Sequence, residues 1–543
     1  MRYRSVLLLV AAAVTVRAAP SARPAIKPSG VVNAASLLPP GVPGGGIAPG
    51  SVFLIRGSGL GPAEPVEASA SSPREELAGV TVRVVQDGNA WTALLFRAGF
   101  DEIRALMPEE ARPGGAHLVV AYQGCESRPV SIRIAASAFG IFTLAGDGMG
   151  PVADSPVRRG ELVTVTGAGL GAARPTSNPA SGRRAPRTKV EVFVGGKPAR
   201  VIRAGPKPGC CGIDEIRFEI PHDAPRGCYV PLQVRLAGSV PSNVATLPIE
   251  PIEQNCRLVD RFRSYVREGG RAGFVIPFRL SLRIELKPSG HADFKGDAFV
   301  AAFRDVDGSE ALARRLHLPP LGCCTVYAAP GVLGDVAGAV RRELLPDMER
   351  LDAGLLEIGP PGRQQSFPPP EPDGEVYYGI LGGTMPDYFG EPLPLFLKPG
   401  RVTVSSLGGP DSGPFTVPVR VPEPIVWTNR NRTRTVNRNR PLTVAWKLRD
   451  PRQLVAVAGI SSDAATNTTA GFLCLADGAA RRLRIPAVVL QSLPLTRSDG
   501  VRPHGFLMLA TFPPDADSLF AARGLDVLLG LGVSIDGRTV RFK

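Results

Sequence analysis

At 543 residues, with 44% hydrophobic and 21% charged residues, the chain is too long for one core and too apolar to be a disordered polymer. Its 62 Gly and 55 Pro are spread between short apolar runs, which is the punctuation of many strands joined by turns and excludes a long-helix architecture. The net charge of +14 rests on basic residues that are almost all Arg, scattered as solvating charge except in one stretch.

The first residues read as an export signal. Arg2 and Arg4 precede an apolar stretch, Val6 to Val16, broken only by Thr15, and Val16 and Ala18 supply the small residues of a cleavage site. About eleven residues are too few to span a bilayer. The pattern predicts a signal peptide over 1–19 and a mature chain starting near Ala19 or Pro20. No Cys follows the apolar region, and no later stretch is long and apolar enough for a transmembrane anchor, so a secreted, periplasmic or cell-surface protein is expected.

Export favours disulfides for the eight Cys. Cys210, Cys211, Cys228 and Cys256 fall in a short span that lacks C-x-x-C ligand spacing, so two disulfides are expected rather than a zinc site. A bond between neighbours is strained, so Cys210 and Cys211 are each expected to pair elsewhere, with Cys228 and Cys256 as partners. The connectivity of Cys125, Cys323, Cys324 and Cys474 stays open.

An internal repeat follows. Residues 49–61, ending Gly57-Ser58-Gly59-Leu60-Gly61, align without gaps on 159–171, ending Gly167-Ala168-Gly169-Leu170-Gly171. Asp101-Glu102-Ile103-Arg104 matches Asp214-Glu215-Ile216-Arg217, and Pro108 and Pro221 then precede another apolar run in each copy. Ordered landmarks about 110 residues apart indicate duplication of a whole domain, over 20–137 and 138–250. Val52 to Ile55, Val80 to Val84, Leu162 to Val165 and Val190 to Val194 read as strands, and the density of short strands predicts a β-sandwich. The Gly-x-Gly-x-Gly stretch is read as a sharp turn rather than a phosphate cradle, because Pro rather than a helix follows it in both copies.

Gly30-Val31-Val32-Asn33-Ala34-Ala35-Ser36, Ile47 to Ser51 and Gly57 to Pro62 resemble an uncharacterised acidobacterial family, the Solibacter-type secreted proteins with IPT/TIG-like immunoglobulin-fold domains. Phe139 to Thr143 is similar to the family's joining segment. Cys210 to Ile216, Gly227 to Pro231 and Ser242-Asn243 resemble its cysteine-bearing variant. The likeness is specific over about 30–250 and looser beyond, where the doubled Cys323-Cys324 departs from a single Cys. It implies fold and export, and no reaction.

The C-terminal half predicts further β-rich units: 251–359, a small sandwich over 360–422, and 423–543. Phe278, Leu280, Leu282, Ile284 and Leu286 alternate with polar residues as a strand with one buried face, beside a strand at Ala298 to Phe303. Val332 to Leu345 is the one helix-like stretch there, and Pro360 to Pro372 reads as a linker or long loop. Leu395 to Leu397 and Leu483 to Val489 are among the strands expected further on. The fold class is therefore all-β, with tandem immunoglobulin-like sandwiches followed by further β-rich domains.

One patch concentrates charge. If Trp427 to Arg434 is extended, Arg430, Arg432 and Arg434 share a face, and Arg438 and Arg440 follow; this row suits phosphates, sulfates or uronic acids. Its alternative is a solvated loop or a charged edge strand, and the want of interleaved aromatics disfavours nucleic acid. His117, His222, His291, His317 and His504 have no metal-ligand spacing, and no nucleophile elbow or P-loop is present, so neither cofactor nor metal is expected. The leading expectation is a non-catalytic scaffold or adhesion protein whose partner is an extracellular protein or polysaccharide. A polyanion-binding protein centred on Arg430 to Arg440 and a hydrolase with its site in the C-terminal half are the alternatives.

Overall fold

The computed structural model describes residues 23–171, 173–175, 184–186, 189–236, 238, 240–251, 264, 266–286, 290–308, 318–331, 348–360, 362–371, 374–385, 391–497, 504–513 and 519–543. The expected export signal, Cys256 and the expected helix-like stretch at 332–345 lie outside the described residues. The chain is all-β, with tandem immunoglobulin-like sandwiches at its N-terminal end and further β-rich units after them.

In the first sandwich, a five-stranded sheet faces a six-stranded one. Strand Val80–Gln86 turns Val80, Val82 and Val84 inward, all 0% exposed, as the period of two requires. They meet Phe53, Ile55, Leu95 and Ile103 from the facing sheet. In the second sandwich, strand Lys197–Pro206 joins the layers: Lys197 to Ala199 pair with Val192 to Val194, and Arg200 to Pro206 pair with Asp214–Glu219, a ladder that shifts register between Val201 and Arg203. A shift of this kind bends the strand and increases its twist.

The two copies keep one register. Val52 lies opposite Leu106 and Ile55 opposite Ile103 in the first; Leu162 lies opposite Glu219 and Val165 opposite Ile216 in the second. The aligned positions of the sequence repeat are therefore the paired positions of the sheets.

The C-terminal half departs from the expected linear order of units. Strands Gly270–Leu286 and Gly290–Val306, of 17 residues each, form one hairpin paired along its whole length. Beside the first of them run two parallel segments from the far end of the chain: Val527 to Gly530 against Ala272 to Val275, and Val533 to Arg538 against Phe278 to Arg283. One core joins Val275, Phe299 and Phe303 to Leu356, Val402, Val417 and Leu528. A second joins Cys324 to Trp427, Trp446, Cys474 and Leu509. The boundaries at 359/360 and 422/423 are thus corrected, because segments from either side of each share a sheet and a core. Only Leu282 of the alternating set in the first hairpin strand is buried among the described side chains.

Three local expectations are also corrected. Gln365–Phe367, inside the expected linker, is a strand paired with Leu356–Gly359, and Phe367 packs edge-on against Phe299 at 4.6 Å. Leu395 to Leu397 is not a strand; Phe396 and Leu397 are buried in a loop. Leu483 to Val489 is a strand, Arg482–Ile485, followed by a short helix, Ala487–Gln491, because Pro486 cannot continue the ladder.

Asp297 holds the hairpin. Its carboxylate, 0% exposed, accepts Arg279 Nε at 2.7 Å and Nη2 at 2.9 Å, and the backbone N–H groups of Phe396 and Leu397 at 2.8 Å each. Asp297→Ala strands the Arg279 guanidinium and two amides in a dry site. A loss of about 3–5 kcal/mol is expected, seen in calorimetry as a lowered transition for the C-terminal half, with the transition of the first two sandwiches unmoved.

Candidate functional site

The arginine stretch opens at Trp427, whose side chain is buried in the C-terminal core. Its indole N–H donates to Asn429 Oδ1 at 2.7 Å, and its backbone N–H to Asp536 at 2.9 Å. The Asn429 amide donates to the Thr443 carbonyl at 2.9 Å. These bonds turn the chain, so Arg430–Arg432 is one 3-10 turn rather than a strand, and the expected row of Arg430, Arg432 and Arg434 on one face does not form.

Much of the charge is committed inside the molecule. Arg430 reaches Asp536 at 2.6 Å, and Arg434, with a side chain 69% exposed, lies 3.9 Å from Glu285. Beneath them Arg538, fully buried, donates to the Arg430 carbonyl at 2.9 Å and to the Glu285 carboxylate. Burial pushes the Asp536 carboxyl above its ordinary value and the Arg538 guanidinium below its own. Arg283 grips Asp293 through two bonds of 2.8 Å and reaches Asn431 Oδ1 at 3.0 Å. Arg438 is partly buried, donating Nη1 to the Leu493 carbonyl while Nε has no partner among the described residues. Arg432, Arg434 and Arg440 are exposed. The stretch works first as a clamp: it pins the C-terminal strand Arg541–Phe542, paired with Thr435–Val436, onto the hairpin.

Sequence reasoning missed a second set of cations beside it. Strands Val426–Trp427, Leu442–Lys447 and Arg482–Ile485 form a three-stranded sheet. Val444, Trp446, Leu483 and Ile485 point into the core, so Thr443, Lys447, Arg482 and Arg484 point outward and are exposed. The signal was present as the alternation Arg482-Leu483-Arg484-Ile485, but nothing local tied it to the loop 40 residues earlier.

The family-like motifs turn out to build joints. Asn33, 1% exposed, donates Nδ2 to the carbonyls of Ala138 and Ala168 at 3.0 Å each, while its Oδ1 accepts the Ala35 and Ser36 amides at 2.8 and 3.1 Å. One side chain thus ties the first sandwich to the joining segment and the second sandwich. Asn243 holds the joining segment to the second sandwich, exchanging bonds of 2.8 and 3.0 Å with Ile141 and donating to the Gly148 carbonyl at 2.7 Å. The glycine turn fits beneath: a Cβ on Gly167 would stand 2.2 Å from the Gly140 carbonyl, and Gly169 has φ +107° against the Ala138 carbonyl. Asp214 closes this turn, accepting the Gly169 and Leu170 amides at 3.0 Å each. Burial nevertheless raises its pKa to about 6, with the two amides pulling the other way.

The cysteine expectation is corrected. Cys210 and Cys211 are thiols. Cys211 and Ile213 pack on Val52, Leu54 and Phe96 of the first sandwich, so the loop serves the joint rather than a crosslink. Cys228 is disulfide-bonded. Cys324 and Cys474, directly opposite on paired strands with Cα atoms 4.0 Å apart, are bonded. Cys323 stays a buried thiol, its pKa pushed up to about 12 by burial. Among the described residues, no group of three or more His, Cys, Asp and Glu gathers as a metal site.

No family model matches the sequence, and a comparison with curated proteins gives no match. Among solved structures, the chain is similar to a gamma-CGTase from alkalophilic Bacillus clarkii at 12% identity and TM-score 0.17, over 48% of this chain and 35% of that one. A Salmonella alpha-2-macroglobulin mutant gives 11% and 0.15, over 98% and 30%. The SGBP-B protein of a Bacteroides ovatus mixed-linkage glucan utilization locus, in complex with a heptasaccharide, gives 10% and 0.15, over 75% and 86%. This chain spans about a third of the length of the first two. At such TM-scores these likenesses carry no argument, and the fold rests on the strands and registers themselves.

Two outcomes are expected. The Asp214 carboxyl has its folded pKa above its ordinary 3.8, so its contribution to stability is full below 3.8 and is lost as pH rises through about 6. Relative to Asp214→Asn, the native chain should lose up to about 1.4 kcal/mol per pH unit across that window, less the share that solvent screens, read from denaturant midpoints at stepped pH. Alkylation without reduction, followed by peptide mapping, should label Cys210 and Cys211 and recover Cys324 and Cys474 in one crosslinked peptide.

Proposed function

We propose that this chain is a non-catalytic extracellular or cell-surface scaffold, whose tandem sandwiches, akin to IPT/TIG modules, hold a fixed geometry for adhesion or display. One observation carries the reading: successive units make buried contacts with one another among the described residues. Asn33 bonds across the first joint, and Cys211 and Ile213 cover the outer face of the first sandwich. At the next joint, Gln233 donates to Ser492 Oγ at 3.1 Å and Arg235 to Gln491 Oε1 at 2.9 Å. Phe193, under the Arg235 guanidinium at 5.1 Å, packs against the C-terminal core. Buried polar bonds of this sort fix orientation, since breaking one leaves an unpaired group in a dry site. The disulfide Cys324–Cys474 suits an oxidising place outside the cytoplasm, and no helix among the described residues is long and apolar enough to cross a membrane.

The test joins activity to mechanics. Incubated with polysaccharide, ester and peptide panels, the purified chain should give no turnover above the blank. Asn33→Ala should cost about 2–4 kcal/mol by leaving amides and carbonyls unpaired, and should open the joint to limited proteolysis near residue 138. Turnover abolished by a single substitution in the C-terminal half would restore the hydrolase reading, and an unchanged digestion pattern would remove the fixed-joint argument.

A further inference from the structure

We infer that the outer face of the three-stranded sheet Val426–Trp427, Leu442–Lys447 and Arg482–Ile485 is a binding surface for an acidic polysaccharide, with Lys447, Arg482 and Arg484 as its principal cations. The sequence sets the charge: residues 424–449 hold seven basic and no acidic side chains, and residues 478–485 hold three basic and none acidic. The register sets the shape. Arg484 lies opposite Thr443 and Arg482 opposite Ala445, while Lys447 lies opposite Val426. The middle strand therefore presents the small Thr443 and Ala445 beside Arg484 and Arg482, and Lys447 beside the exposed Val426, 53% accessible. Arg482 and Arg484, two positions apart on one face, stand about 7 Å from each other at the strand rise. Arg440, exposed, extends the cationic line where the middle strand begins.

These cations differ from those of the loop. Arg430, Arg434 and Arg538 face Asp536 and Glu285, and Arg283 faces Asp293, so that cluster is close to neutral. No ion pair among the described residues engages Arg440, Lys447, Arg482 or Arg484, and their charge stays available to a ligand. Arg presents a fork that takes a carboxylate or sulfate through two bonds. Trp427 and Trp446 are buried in the core, so the face offers charge and apolar contact without a ring on which a base would stack. That combination favours a chain of uronic acids or sulfated sugars over a nucleic acid.

The test uses the full chain against alginate and heparin at stepped salt. The triple variant Lys447→Ala, Arg482→Ala, Arg484→Ala should lose at least about tenfold in affinity, with a shallower dependence of log affinity on log salt. A charge-matched control, Arg104→Ala, Arg133→Ala and Arg217→Ala on exposed positions of the first two sandwiches, should stay within about twofold of the native chain. Arg482→Lys with Arg484→Lys should fall between the two, since charge is kept and the fork is lost. No binding of either polysaccharide by the native chain, an equal loss in the control, or a short DNA duplex bound as tightly and released by the same triple variant would each overturn the inference. The scaffold reading survives all three results, since it rests on the joints.

Discussion

The C-terminal half depends on the register of one hairpin. Strands Gly270–Leu286 and Gly290–Val306 supply Val275, Phe299, Ala301 and Phe303 to one core, and a slip of one residue would turn every side chain to the opposite face. Apolar packing alone pins such a ladder weakly, because Phe, Val and Ala alternate in ways that a shifted pairing would partly satisfy. The cross-strand pair Arg279–Asp297 removes that freedom. Taking both charges out of water costs several kcal/mol, and the fully buried Asp297 offsets the cost only in the register that also brings it the amides of Phe396 and Leu397. What the pair contributes is therefore uniqueness of pairing more than net stability. The parallel segments that end the chain dock on the strand so fixed, and the arginine clamp docks on them.

The N-terminal fold was legible because its signals are local. Val52-Phe53-Leu54-Ile55 is an unbroken apolar run, and all four residues are buried: Phe53 and Ile55 in the sandwich, Val52 and Leu54 under the loop of the second copy. The matching Leu162-Val163-Thr164-Val165 has Thr at one position and an open outer face, with Leu162 44% exposed. The difference between the copies thus records which outer face is covered. Duplication placed the paired positions at matched offsets, so positions equivalent in the alignment hold equivalent places in the two sheets.

The C-terminal organisation was not legible, for a physical reason. Its sheet pairs residues 272–283 with 527–538 in parallel, and strand Cys324–Pro330 with Thr468–Asp477. Nothing in a strand's own sequence names a partner 250 residues away, and Pro-rich punctuation marks turns as readily as domain boundaries. Leu395-Phe396-Leu397 reads as a strand by composition, yet its amides are taken by the Asp297 carboxylate and not by a ladder. The doubled cysteines misled for a related reason. Adjacency argues against a bond between neighbours, but it does not make each thiol a crosslink; Cys211 packs as a small apolar side chain at the joint.

The arginine stretch shows why counting charges along a sequence does not locate a binding surface. A guanidinium is available to a ligand only to the extent that no carboxylate of its own chain already holds it. Asp536 and Glu285, which engage the loop, are far from it in sequence and invisible to a local count. Displacing Arg430 from the buried Asp536 would leave that carboxylate unpaired in a poorly solvated place, so a ligand competing for Arg430 must overcome that cost. Arg482 and Arg484 carry no such debt, being exposed on a sheet whose buried face is wholly apolar. The stretch with the highest local charge is for this reason the poorer site, and the alternating strand beside it is the better one.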